Sequence, residues 1–317
     1  MADPADPLAS LDQHALGARI RSRKLSGGTL TIIADATGLS GDERVSMERR
    51  LQSAGGGIAG VEQVRVALTA SQTQRKLIAI ASGKGGVGKS TLTTNLAVAL
   101  ARLGKKVGLI DADVYGPSQT RLLGSDSKPT AEDKKLNPVE AHGIRFLSLG
   151  QLVAPGHALA WRGPMASGAL AQLVEANWDD AELLLVDLPP GTGDVQLSLM
   201  QKSRPDGAVI ISTPQALSLI DATRAVDLFA KMSVPVLGLV ENMAGYICPH
   251  CGEQSDPFGS GGAEDAAREM GIPFLGRLPL SSALCEASDA GRPPAAANGP
   301  EGEAFTALAR KLLDALK

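Results

Sequence analysis

Gly83-Lys84-Gly85-Gly86-Val87-Gly88-Lys89-Ser90-Thr91 is the stretch on which the reading of the chain turns. It follows the apolar run Leu77-Ile78-Ala79-Ile80-Ala81. It precedes Leu92, Leu96, Leu100 and Leu103, whose spacings of four, four and three place one buried stripe on a helix that stops at Gly104. The order is strand, glycine loop, helix. In the pattern G-x-x-x-x-G-K-[ST], glycines let successive backbone N–H groups curl around phosphate oxygens without a Cβ in the way. Lys89 is placed to neutralise the β- and γ-phosphates, and the Ser90 hydroxyl to bind Mg²⁺. The helix N-terminus adds its dipole to the loop.

Around this loop, apolar strands alternate with helical stretches: Leu77 to Ala81, Val107 to Asp111, Ile144 to Leu149, Leu183 to Asp187, Ala208 to Ser212, Val236 to Asn242 and Phe274 to Leu278. Such alternation predicts an α/β fold, a P-loop NTPase with a mainly parallel sheet flanked by helices. Ligands of such sheets lie beyond the carboxyl ends of the strands, and the polar motifs fall there. Asp111-Ala112-Asp113-Val114-Tyr115-Gly116-Pro117-Ser118 ends the second of these strands, offering two carboxylates to a Mg²⁺ shell or to an attacking water. Leu183 to Val186 lead into Asp187, a buried strand ending in an acid that suits the Mg²⁺ shell. Leu188-Pro189-Pro190-Gly191-Thr192-Gly193-Asp194 follows as a loop whose prolines fix its exit and whose glycines allow it to approach and leave a γ-phosphate. Trp161-Arg162-Gly163-Pro164-Met165 lies between these motifs; Trp161 is expected in the core, and Arg162 has no role assigned.

Lys84 is a second lysine that the loop pattern does not require. With it, the wording K-G-G-V-G-K-S-T resembles the deviant P-loop of the nitrogenase iron protein, cell-division and partition ATPases. That resemblance implies an ATP-dependent homodimer in which Lys84 reaches the partner's nucleotide. It also makes the D-A-D segment switch I, with Asp113 orienting water and Asp111 on the magnesium side, and the segment after Asp187 switch II. Asn242 ends another strand, where an amide can read an adenine edge as it does in related ATPases.

The remaining motif is Cys248-Pro249-His250-Cys251, in a connection from Met243 to about Gly262 that carries no clear secondary structure. Two thiolates at this spacing converge on one metal but leave a tetrahedral site half made. Of the three cysteines only Cys285 remains, and its helical pattern predicts a small buried hydrophobe. Two copies of the motif across a two-fold axis supply four thiolates, for a [4Fe–4S] cluster or for Zn²⁺. His250 reads as a spacer. A redox C-x-x-C is disfavoured because that motif opens a helix, whereas this one lies in a Gly- and Ser-rich loop.

The chain has 317 residues and a net charge of −3, a balance that asks for neither nucleic acid nor an anionic membrane. No stretch approaches the roughly 18 apolar residues a membrane span needs, and the acidic start is unlike a signal peptide, so a cytoplasmic protein is expected. Residues 1–72 differ in texture and predict a small α+β domain, with a helix near Leu8 to Ile20, a strand at Leu30 to Ala34, a helix from Asp42 to Leu51 and a strand from Val61 to Leu68. Gly55-Gly56-Gly57 reads as a turn, Ser71 to Gln74 as a linker to the ATPase domain at 73–317, and Arg19, Arg21, Arg23 and Lys24 as a solvated segment. The small domain vaguely resembles the MIP18-like domain that precedes such ATPases.

Taken together, K-G-G-V-G-K-S-T, D-A-D-V-Y-G-P-S, W-R-G-P-M, D-L-P-P-G-T-G-D, E-N-M and C-P-H-C followed by Phe258-Gly259-Ser260-Gly261-Gly262 resemble the Mrp/ApbC family of ATP-binding iron–sulfur cluster carriers, from about Lys76 to Pro294. Membership implies a homodimer that hydrolyses ATP, holds a labile [4Fe–4S] cluster on Cys248 and Cys251, and passes it to apo iron–sulfur proteins. Two readings compete. One is a positioning ATPase of the partition or cell-division type, with the amphipathic end of the chain (Phe305, Leu308, Leu312, Leu313, Leu316) on a membrane, although such a terminal helix is expected to pack on the sheet. The other is an ATPase whose thiols clamp a structural zinc.

Overall fold

The computed structural model describes residues 8, 11, 14–37, 39, 41–69, 75–132, 134–152, 163–191 and 193–317. It divides into two compact units, Met1–Gln74 and Arg75–Lys317.

In the first unit, strands β1 (Ile20–Ser26), β2 (Thr29–Asp35) and β3 (Gln63–Thr69) form a sheet in that order, with helix α1 (Gly41–Gly56) between the last two. Leu30, Ile32 and Ala34 alternate into a core shared with Met47 and Leu51. Arg21 and Lys24 of the basic segment are exposed, as expected of a solvated stretch; Arg21, Arg23 and Lys24 lie on β1, paired antiparallel with β2, and Arg21 binds Asp35 at 2.5 Å. Two expectations are corrected here. The helix expected near Leu8 to Ile20 is present in part, as a 3₁₀ turn at Gly17–Arg19 that runs into Ile20, where the strand opens; residues 9, 10, 12 and 13 lie outside the described residues. Gly55 and Gly56 end the helix, and a Cβ on Gly55 would sit 3.0 Å from Leu30 and Val64, so glycine is there for close packing. The expected linker, Ser71 to Gln74, also lies outside the described residues.

The second unit is built on an eight-stranded sheet. Its strands are β4 (Lys76–Ser82), β5 (Val107–Asp111), β8 (Val139–Ala141), β9 (Ile144–Ser148), β10 (Leu183–Asp187), β11 (Gly207–Ser212), β12 (Val236–Glu241) and β15 (Phe274–Arg277). Their order is β15-β12-β11-β4-β10-β5-β9-β8, parallel throughout except at the edge, where β8 runs antiparallel to β9. The two short hairpins are β6 (Thr130–Glu132) with β7 (Lys135–Asn137), and β13 (Tyr246–Ile247) with β14 (Gln254–Ser255). The predicted parallel sheet is present, and β4 lies near its middle, flanked by β11 and β10.

Helices cover both faces, because β4 is apolar on both. Ile78 and Ile80 pack with α2 (Lys89–Arg102) and α9 (Pro300–Ala315). Leu77, Ala79 and Ala81 pack with α4 (Gly163–Val174), α5 (Asp194–Ser203), α6 (Ala216–Lys231) and α7 (Gly262–Met270). Phe305, Leu308 and Leu312 of α9 are buried against α2, so the apolar face of the terminal helix is spent inside the fold. No helix among the described residues is long and apolar enough to cross a membrane.

Candidate functional site

The glycine loop leaves β4 and enters α2. Gly86 and Gly88 have φ of 78° and 88°, the left-handed region that glycine occupies without a Cβ penalty. At Gly88 a second reason applies, since a Cβ would lie 2.2 Å from Asn242 Nδ2. Gly83 is held by packing: its Cβ would lie 2.2 Å from the backbone of Asp221 on α6. Gly85 and Gly86 are exposed, whereas Val87 is buried and anchors the loop. Ser82 Oγ donates to the Lys84 carbonyl at 2.9 Å. The loop thus curls a run of backbone N–H groups at the start of α2, which fits the phosphates of a nucleotide.

Lys89, 6 % exposed, puts its ammonium 2.5 Å from Asp187 Oδ1 and 3.8 Å from Asp113 Oδ2. Thr93 Oγ1 donates to the same Asp187 oxygen at 3.2 Å. These side chains fit a magnesium–nucleotide complex: Ser90 lies in the first turn of α2, and Asp187 ends the neighbouring strand with a carboxylate held between donors. Asp113 serves the turn with one oxygen, accepting N–H from Tyr115 at 3.1 Å and Gly116 at 3.2 Å, and faces Lys89 with the other.

Asp111, expected as a magnesium-side carboxylate, is turned toward switch I in this structure. It is fully buried and its oxygens accept four hydrogen bonds, from the backbone N–H of Asp113, Ser118 and Gln119 and from Ser148 Oγ. Oδ2 accepts three of these bonds and Oδ1 one, so most of the carboxylate's roughly four lone-pair positions are taken by the backbone of switch I and by Ser148. Burial, and then the charge of Asp187, raise its pKa to about 7 against the donors that would lower it.

Gln119 was not legible as a site residue. It opens α3 (Gln119–Leu122), is wholly buried, and donates from Nε2 to Asp187 Oδ2 at 2.8 Å and to the Ser90 carbonyl at 3.1 Å, while Oε1 accepts from Thr94 Oγ1 at 2.5 Å. One side chain ties switch I to the phosphate loop and to the acid on β10. Switch II is tied to β4, since Leu188 N–H donates to the Ile80 carbonyl and Gly191 N–H to that of Ser82.

Asn242 donates from Nδ2 to the Val87 carbonyl at 2.8 Å and so braces the phosphate loop. Its neighbour Glu241, also missed by sequence reasoning, is a buried carboxylate that accepts from the N–H groups of Gly261 and Ala263 and from Arg277 Nε. Lys84 is half-buried, and among the described residues no hydrogen bond or ion pair of its ammonium is found. Trp161 and Arg162 lie outside the described residues.

The long connection is not structureless. Tyr246 pairs with Ser255 and Ile247 with Gln254, making a hairpin whose tip carries both thiols. Cys248 N–H donates to the Glu253 carbonyl at 3.0 Å and Gly252 N–H to the Cys248 carbonyl at 2.8 Å, closing the tip. Cys251 is exposed and Cys248 half-buried. The N–H groups of Cys251 and His250, and the Cys251 thiol, hold the Cys248 thiol below its ordinary pKa, which favours the ligating thiolate. Cys285 is corrected: it is exposed on the short helix α8 (Ser282–Asp289). Among the described residues no group of three or more His, Cys, Asp and Glu converges as a metal site.

A phosphate loop at the centre of a parallel sheet, a buried lysine and acids ending two adjacent strands define a P-loop NTPase with a MinD/ParA-like fold. Within that class, the chain belongs to the family described as "ParA: NUBPL iron-transfer P-loop NTPase", which matches residues 73–313. It is 44 % identical over 315 residues to a Deinococcus radiodurans protein named "Iron-sulfur cluster carrier protein", an alignment covering 96 % of this chain and 89 % of that protein. A nucleotide-binding protein of Archaeoglobus fulgidus, solved with ADP, superposes with a TM-score of 0.63 at 41 % identity, covering 71 % of this chain and 89 % of that one. The cell-division protein MinD of Aquifex aeolicus superposes with a TM-score of 0.57 at 25 % identity, over 75 % and 97 % of the two chains.

Proposed function

We propose that this chain is an ATP-hydrolysing carrier that holds a [4Fe–4S] cluster between two copies of itself and transfers it to apo iron–sulfur proteins. The observation that carries the reading is the thiol hairpin. Cys248 and Cys251 stand at an exposed tip, supplying two of the four thiolates that a cluster needs. A second copy across a two-fold axis completes the set, and an exposed, loosely enclosed site suits release to a recipient. The family and the relative's name support the cargo; the apolar face of α9, already buried, speaks against the membrane-positioning alternative.

In this reading Lys89 exchanges its bond to Asp187 for the nucleotide phosphates. Ser90 and Asp187 hold Mg²⁺, which when bound neutralises phosphate charge. Asp113, facing Lys89 across 3.8 Å, orients the attacking water, and Lys84 reaches the nucleotide of the second copy. Lys84→Ala then retains nucleotide binding and loses most of its turnover.

The test is iron, acid-labile sulfide and zinc content after anaerobic reconstitution, with the oligomeric state measured by sedimentation, for wild type and Cys248→Ala/Cys251→Ala. About four iron and four sulfide per dimer, lost in the double variant, are expected. Zinc alone, or no metal, overturns the carrier reading in favour of a dimeric ATPase.

A further inference from the structure

The phosphate loop and the thiol hairpin meet at two consecutive residues. Glu241, 0 % exposed, is the last residue of β12, and Asn242 is the next. Asn242 Nδ2 bonds the Val87 carbonyl at 2.8 Å and occupies the space a Cβ on Gly88 would need. Glu241 Oε2 accepts from Gly261 N–H at 3.1 Å and from Arg277 Nε at 2.8 Å, and Oε1 accepts from Ala263 N–H at 2.8 Å.

The Glu241 bonds fasten the return end of the hairpin's connection, and backbone bonds fasten its outgoing end. On the outgoing side, Ala244 N–H donates to the Leu278 carbonyl at 3.0 Å and Leu280 N–H to the Gly245 carbonyl at 2.8 Å. On the return side, the Glu241 carboxylate takes the first N–H groups of α7 at Gly261 and Ala263, where the connection ends. A buried carboxylate left without donors is costly, so Gly261 and Ala263 cannot shift independently of Glu241. Arg277 extends the grip to Glu264 on the same helix. Cys248 and Cys251 therefore sit on a loop closed by one strand end, and that strand end also holds the phosphate loop.

We infer that Glu241 and Asn242 are the positioning pair through which occupancy of the phosphate loop sets the geometry of the Cys248–Cys251 hairpin. The inference rests on the reading of the chain as a nucleotide-dependent carrier. Phosphate oxygens that engage the N–H groups of residues 85–90 reorient the Val87 carbonyl; Asn242 follows it, and Glu241, one peptide unit away, moves the far end of the hairpin connection. Neither residue touches nucleotide phosphate or cluster in this scheme.

The test uses the full chain with its thiols metal-free. Alkylation rates of Cys248 and Cys251 by N-ethylmaleimide are read by mass spectrometry, without nucleotide and at saturating Mg²⁺–ADP or Mg²⁺–ATPγS. The exposed Cys285 on α8 is the internal standard. A wild-type nucleotide effect of about threefold or more at the hairpin thiols, relative to Cys285, is expected for coupling of ordinary size. Glu241→Gln and Asn242→Ala, each held at a nucleotide concentration that its own fluorescence titration shows to saturate, are expected to bring that ratio near one. Arg277→Met, which removes one donor from Glu241 at a partly exposed position, serves if either variant fails to fold, and is expected to diminish the ratio. Merely structural roles would change the nucleotide-free rate and leave the ratio intact. Variants that keep the wild-type ratio overturn the link and leave the carrier reading standing. A wild type that binds nucleotide with no change at the thiols also overturns it, and the iron and sulfide content then judges the carrier reading separately.

Discussion

Replacing Gln119 with Met tests whether this side chain supports the acid at the end of β10. Met keeps the length and buries equally well but removes every hydrogen bond. The losses are unequal. Thr94 Oγ1 and the Ser90 carbonyl, which both bond Gln119, also bond each other at 3.0 Å and satisfy one another when it goes. Asp187 Oδ2 has no such substitute: its 2.8 Å bond is from Gln119 Nε2, whereas Lys89 and Thr93 serve the other oxygen. A hydrogen bond to a buried charged group is worth about 1.5–3 kcal/mol, so Gln119→Met is expected to lose about 2–3 kcal/mol. For a unit of this size that lowers the melting temperature by roughly 5–10 °C. Urea unfolding of the nucleotide-free protein, followed by circular dichroism, measures it. Gln119→Glu supplies the electrostatic control: a second carboxylate beside Asp187 is tolerated when protonated, so its deficit should be larger at pH 8 than at pH 5. A Gln119→Met protein within 0.5 kcal/mol of wild type would falsify the account of Asp187's support.

The buried Asp111 gives stability a pH dependence whose sign is fixed. With its folded pKa raised to about 7, the folded state keeps the proton that the unfolded chain releases near pH 4, so the contribution is complete below pH 4, declines as pH rises to about 7 and is constant above. The slope cannot exceed about 1.4 kcal/mol per pH unit, and Asp111→Asn should flatten it in urea titrations between pH 4.5 and 7. Gly88→Ala places a Cβ at φ 88° against Asn242 Nδ2; a loss of about 1–3 kcal/mol and at least a tenfold weaker nucleotide affinity are expected from calorimetry. Cys248→Ser/Cys251→Ser changes an exposed hairpin tip, so unfolding should stay within about 0.5 kcal/mol of wild type while thiol-dependent iron binding disappears.

Much of the fold was written locally. Each strand of the parallel sheet that carries a motif is a continuous apolar run, because both of its faces meet helices, and such runs are visible without knowing their neighbours. Strand β1 escaped notice because Ile20 and Leu25 are its only large apolar residues; an edge strand with one solvated face reads as a solvated basic segment. The short edge strand β8 and the thiol hairpin escaped for a similar reason, being too brief to show a period.

The sequence by itself determined the phosphate loop, the positions of its lysines, the acids that end β5 and β10, and the C-x-x-C spacing, since each follows from residue types at fixed separations along the chain. Only the tertiary structure decided what surrounds them. Asp111 is held by four donors from two segments, and Gln119 reaches Asp187 across 68 residues. Asn242 meets Val87 across 155 residues, and Glu241 holds a helix end 20 residues away. Those contacts exist because crossover helices set β4 between β11 and β10, with β12 beyond β11, and bring their carboxyl ends to one edge. A hydrogen bond extends about 3 Å, so which polar side chains share it is settled by that packing, not by their spacing in sequence.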